Sequence, residues 1–182
     1  VAGRVPLLIA TSDEPEPRFQ VRAGVQAIQV FGIDVEDLAP GAAARFDAGV
    51  LGYPLESLAE LPPGDYVVQA VLHRYETFRR GDGHTVKLPM DRGEGQQWSR
   101  APGNLVSTPR RLHLDPVSDA VVSVVLDRKL PPIPPPEDTE YVKHVRIESE
   151  LLSDFWGRPM ELGAHVLLPH GWAEHPEARY PL

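Results

Sequence analysis

The sequence predicts a mainly β fold whose front part is an antiparallel β-sandwich (Ig-like), and three observations carry this. The 182 residues include 20 Pro and 15 Gly, and a proline share about twice the usual 5% disfavours helix. Short apolar segments recur between turn residues before position 130, at the spacing expected of a sandwich. Tyr66–Phe78 alternates over a long run, with Tyr66, Val68, Ala70 and Leu72 on one face and Val67, Gln69, Val71, His73 and Tyr75 on the other.

Val5–Thr11 is the first expected strand, followed by the acidic, Pro-rich loop Ser12–Pro17. Val25–Val35 is the second, with Gly32 marking a bulge or a close backbone approach. Pro62-Pro63-Gly64-Asp65 is a turn that leads directly into Tyr66–Phe78. Arg79-Arg80-Gly81-Asp82-Gly83-His84 then closes a hairpin with Thr85–Leu88, since Asp-Gly favours the positive φ of a tight turn. The hairpin also accounts for Arg80-Gly81-Asp82, which spells a cell-adhesion tripeptide. Val121–Leu126 is apolar at most positions and is expected to be a strand between two packed layers.

Pro131-Pro132-Ile133-Pro134-Pro135-Pro136 lacks nearly all of its backbone donors and is expected to be an extended spacer between domains. A proline ligand for an aromatic groove is the other use of such a run. Beyond it, Glu140–Ile147 is an expected strand, and Ser149 caps a short helix over Glu150–Trp156 that ends at Gly157. Met160, Leu162, Ala164, Val166 and Leu168 then form the apolar face of a further strand, and Arg179-Tyr180-Pro181-Leu182 looks like the start of another.

Composition excludes several functions. Eighteen Lys+Arg against 26 Asp+Glu leave a net charge of −8, which argues against a nucleic-acid surface. No apolar run approaches the roughly 20 residues that span a bilayer. With no Cys, disulfides and thiolate metal ligands are excluded. His165, His170 and His175 recur every five residues, but Pro169, Gly171 and Pro176 prevent a shared helical face, so no metal site is expected. No cofactor motif is present, and no Gly-x-Ser-x-Gly supplies a nucleophile. The chain opens at Val1 without a basic leader, as a processed precursor or a trimmed chain would. A periplasmic or secreted location is expected if a signal peptide preceded Val1.

The least ordinary local sequence is Pro89-Met90-Asp91-Arg92-Gly93-Glu94-Gly95-Gln96-Gln97-Trp98. One reading is a ligand-facing loop bearing Asp91, Arg92 and Trp98. The other is a loop pinned to its own domain by Trp98 burial and a turn network around Asp91 and Arg92.

The stretch Ile147–Trp172, with Phe155-Trp156-Gly157-Arg158-Pro159 and Val166-Leu167-Leu168-Pro169 within it, followed by Arg179-Tyr180-Pro181-Leu182, resembles the opening of α/β-hydrolase esterases. These are of the enterochelin-esterase-like and S-formylglutathione-hydrolase-like kind. Leu61–Tyr66 resembles part of the β-sandwich that such enzymes carry in front. The resemblance implies a sandwich over 1–130, a linker over 131–136, and the first strands of an α/β-hydrolase sheet over 137–182. It implies a serine carboxylic-ester hydrolase acting on a small ester, with the nucleophile, acid, His and oxyanion hole downstream of this chain and no catalytic residue within it. Trp156 and Arg158 join Asp91, Arg92 and Trp98 as ligand-lining candidates. The Met160–Leu168 strand is expected to pair with the rest of the hydrolase or with a second copy, with Tyr180–Leu182 in that contact. A non-catalytic sandwich that binds carbohydrate, peptide or a partner protein is the alternative.

Overall fold

Antiparallel strands make up most of the regular structure in the computed structural model, which describes every residue except Asp119, Pro176 and 180–182. The chain divides into two compact units, one of residues 1–76 and 87–133, the other of 77–86 and 134–182. No helix among the described residues is long and apolar enough to cross a membrane.

The first unit is built on β1 (Gly3–Ala10), β2 (Gln29–Val35), β3 (Gly52–Tyr53) and β4 (Gly64–Arg74). β4 begins where Pro62-Pro63-Gly64 ends and carries the alternating run, yet Val67 to Leu72 are buried on both faces. It stops at Arg74, where the Tyr75 N–H turns to the carbonyl of Ala2, so the expected strand over Tyr66–Phe78 is two. The second is β5 (Glu76–Arg79), which pairs with β6 (Thr85–Leu88). The sheet order is β3-β2-β1-β4, and β4 continues to β7 (Leu105–Val106) and β9 (Arg128–Lys129) while also pairing with β8 (Arg110–Leu114).

Two residue types shape this ladder. Pro6 has no N–H, and the β1–β4 register, which reads Gly3↔Arg74 and Arg4↔His73, resumes only at Leu7↔Ala70. On the opposite edge of β4, β8 pairs with Gly64–Val68 and β7 with Val71 and Leu72. Ser107 closes the gap between them. Its N–H donates to the Ala70 carbonyl at 2.9 Å, its Oγ accepts from the Ala70 N–H at 2.9 Å, and its carbonyl accepts from Gln69 Nε2 at 3.0 Å.

Ile9, Phe31, Leu61 and Val68 form one core cluster, covered by Phe46, Val50, Leu55 and Leu58. Leu8, Val71 and Val106 form another, against Ile28, Val30, Trp98 and Leu130. Gly32 sits in an uninterrupted β1–β2 register and is not a bulge, and the atoms nearest a Cβ there belong to the Arg4 guanidinium, at 2.8 Å, rather than to backbone. The expected strand over Val121–Leu126 does not form. Among the described residues no ladder joins this segment to a neighbouring strand; the Ser123 carbonyl accepts instead from the Arg110 side chain at 3.2 Å, and Val121 and Val125 are 86% and 66% exposed.

In the second unit β10 (Val142–Glu148) and β11 (Glu161–Leu167) form an antiparallel pair, with α1 (Glu150–Trp156) between them. The Ser149 side chain accepts from the Leu152 N–H, and Gly157 ends the helix at φ 64. The Ser153 hydroxyl then accepts from the Met160 N–H at 2.9 Å, steering the chain into β11. Residues 131–139 form no strand or helix. Of the expected strand at the C-terminal end, Tyr180–Leu182 lie outside the described residues.

Candidate functional site

Within the first unit, the end of β4, the loop before β7 and the stretch from β9 to Ile133 border an open groove of about 410 Å³. Arg74, Arg92 and Lys129 line it as cations, and Leu130, Pro131, Pro132 and Ile133 supply an apolar wall. Arg74 arrives here because β4 ends at it, and Lys129 because the two-residue strand β9 pairs Lys129 with Leu105.

Arg92 is held by the 89–98 loop. Its guanidinium pairs with the Glu76 carboxylate and donates to the carbonyls of Met90 and Pro102 at 3.3 and 3.4 Å. Its own N–H donates to Glu94 Oε2 at 2.7 Å, and Glu94 is buried. Asp91 is exposed and accepts from the N–H groups of Gly93 and Gly95, an Asx-type turn that shapes the loop from within. Trp98 packs against the Leu8–Val71–Val106 cluster. Of these three candidates, Arg92 alone lines the groove.

The wall behind the groove is organised by Asn104, which is fully buried. Its Oδ1 accepts from the Arg74 N–H at 3.1 Å. Its Nδ2 donates to the Trp98 carbonyl at 2.8 Å and lies 3.0 Å from His73 Nδ1. Burial pushes the His73 imidazole below its ordinary 6.5, and the nearby Arg92 adds to this against the opposing pull of Asn104 and Glu94.

Trp156 and Arg158 belong to the second unit. Trp156 packs edge-on against Phe78, with ring centroids 5.5 Å apart, and against Phe155 at 5.2 Å. The Arg80 guanidinium lies 4.9 Å from the Phe155 ring centroid, and that of Arg158 lies 5.3 Å from the Phe78 centroid. The Gly81 N–H donates to the Phe155 carbonyl at 2.6 Å. Phe155-Trp156-Gly157-Arg158 therefore docks on the Arg79–Gly83 turn. Asp82 pairs with both Arg80 and His84, so the Arg80-Gly81-Asp82 tripeptide is engaged internally.

No serine hydroxyl among the described residues is hydrogen-bonded to a histidine. His165 packs against His144 across the strands, and His170 stacks on Tyr141. Among the described residues no three potential metal ligands come together. The chemistry available in the groove is recognition by charge and apolar contact. Arg74 and Lys129 escaped the sequence reading because nothing local distinguishes them; they lie 55 positions apart. Comparison of the chain with family models, with curated proteins and with solved structures gives no match.

Proposed function

We propose that this chain is the N-terminal part of a serine carboxylic-ester hydrolase, with the acyl-transfer machinery supplied by polypeptide downstream of it. The observation that carries the reading is the β10–α1–β11 unit. Its cross-strand pairs Ile147↔Leu162 and Val145↔Ala164 make an apolar face, on which Ile147 is 61% and Leu162 55% exposed. Two strands alone are marginally stable in water, and an apolar sheet face of this kind is normally covered. The helices that pack on the faces of an α/β-hydrolase sheet would cover it, further strands would pair along its edges, and the Phe-Trp-Gly-Arg-Pro and Val-Leu-Leu-Pro segments around β11 resemble the opening of such a sheet.

The first unit is read here as the preceding Ig-like sandwich. In support, β4 exchanges β8 for β7 along one edge, as strands do when they pass between two layers. Pairing along Met160–Leu168 is assigned to the rest of the hydrolase.

The coding sequence that follows Leu182 tests the reading directly. It is expected to contain a Gly-x-Ser-x-Gly nucleophile elbow with Asp or Glu and then His further on. Residues 1–182 alone are expected neither to hydrolyse 4-nitrophenyl esters nor to be labelled on serine by phenylmethanesulfonyl fluoride. A reading frame that lacks the elbow, or serine labelling in the isolated chain, overturns it.

A further inference from the structure

We infer that the Arg74–Arg92–Lys129 groove binds a small monocarboxylate with an apolar body. The groove's lining residues include three cations and no carboxylate, in a chain whose net charge is −8. Glu76 satisfies Arg92 from one side. Arg74 has no carboxylate partner among the described residues, its nearest acceptor being the Gly103 carbonyl at 3.4 Å, and its Nε is buried without a hydrogen bond. Lys129 likewise has no ion pair among the described residues. A guanidinium and an ammonium that line one groove, neither with a carboxylate partner among the described residues, favour an anion there.

The apolar part of the lining selects the kind of anion. Leu130, Pro131, Pro132 and Ile133 offer no side-chain donor, and the prolines lack N–H groups as well. A fully hydrated phosphate would leave this wall unused, whereas an aliphatic or aromatic carboxylate places its charge on Arg74 and Lys129 and its body on the prolines. The volume of about 410 Å³ falls in the lower part of the range of small-ligand sites, about 300–1,000 Å³. Arg92, fixed by Glu76 and two carbonyls, serves as a rigid edge. The inference does not depend on the hydrolase reading, because the groove lies wholly within the first unit.

The test is an amide NMR titration of the 182-residue chain with hexanoate, with hexanol and inorganic phosphate as controls. Hexanoate is expected to give saturable shifts at residues 74, 103, 104, 129 and 130, weakened several-fold between about 20 mM and 500 mM salt. Lys129→Gln, at an exposed position, is expected to weaken binding about tenfold, and Arg74→Gln to do so at least as strongly. Hexanol and phosphate are each expected to bind at least about tenfold more weakly than hexanoate. The absence of saturable shifts, shifts that map elsewhere, unchanged affinity in a folded Lys129→Gln variant, or equal binding of either control overturns the proposal. Because the readout is binding rather than turnover, its failure leaves the hydrolase reading standing, and the reverse holds too.

Discussion

The Arg79 carbonyl oxygen lies 2.8 Å from where a Cβ on Gly157 would stand. Gly157 also ends α1 with φ 64, so glycine is required there both by backbone conformation and by close approach. The same turn brings the Phe155 carbonyl to the Gly81 N–H. Gly157→Ala is expected to destabilise the second unit by about 1–3 kcal/mol, combining left-handed strain with displacement of the Arg79 backbone. Urea unfolding followed by Trp156 fluorescence checks this, and an unchanged midpoint refutes it.

Gln69 is fully buried and satisfied on both ends of its carboxamide. Its Oε1 accepts from the Arg18 N–H at 3.0 Å, while Nε2 donates to Glu16 Oε2 at 2.9 Å and to the Ser107 carbonyl. Gln69→Leu keeps the approximate volume but strands these partners. A loss of about 2–4 kcal/mol from the first unit is expected, by chemical denaturation. Ser107→Ala removes the acceptor of the Ala70 N–H and is expected to cost about 1–3 kcal/mol.

Glu16 gives the first unit a defined acid sensitivity. Desolvation works to raise its carboxyl, but hydrogen bonds from Gln69 and Arg18 and the charges of Arg18 and Arg128 outweigh this and hold it below the usual 4.5. The unfolded chain therefore binds a proton at higher pH than the folded one. The stabilisation is fully present above 4.5 and is lost as pH falls through the depressed folded value. Glu16→Gln is expected to lower stability at neutral pH and to converge with the parent chain in acid. Thermal melts across that range measure it.

His73 acts in the same direction at higher pH. Its folded value lies below 6.5, so the unfolded state takes up the proton first, and stability declines as pH drops below 6.5. His73→Gln is expected to flatten this part of the pH–stability profile while leaving the Glu16 limb in place. A profile with the same slope in both proteins contradicts the assignment.

Leu162 separates folding from association. Because it is 55% exposed, Leu162→Asp is expected to change the stability of the 182-residue chain by less than about 0.5 kcal/mol. In the hydrolase reading it abolishes association of the 182-residue chain with the downstream polypeptide produced separately. Self-association of the parent chain that is lost in Leu162→Asp, measured by sedimentation, assigns the face to a second copy instead.

Local chemistry alone determined much of this chain. The Ser149 cap, the helix over Glu150–Trp156 and its end at Gly157 follow from residues within one turn of each other, as does the Asp82-Gly83 hairpin turn. β1 was legible from a short apolar run and β11 from its alternating apolar face, and β10 overlaps the strand expected over Glu140–Ile147. Which strands meet was not legible, because pairing is a competition among distant segments for the same edge. β8 and β7 share one side of β4, whereas Val121–Leu126, strand-like by composition, joins neither. The same holds for the groove. Arg92 stands out in an unusual loop, but the partners that give it a role, Arg74 and Lys129, become neighbours only because β4 ends at Arg74 and β9 pairs with β7. Periodicity and capping are properties of a few consecutive residues, whereas a convergence of charges is a property of the folded sheet.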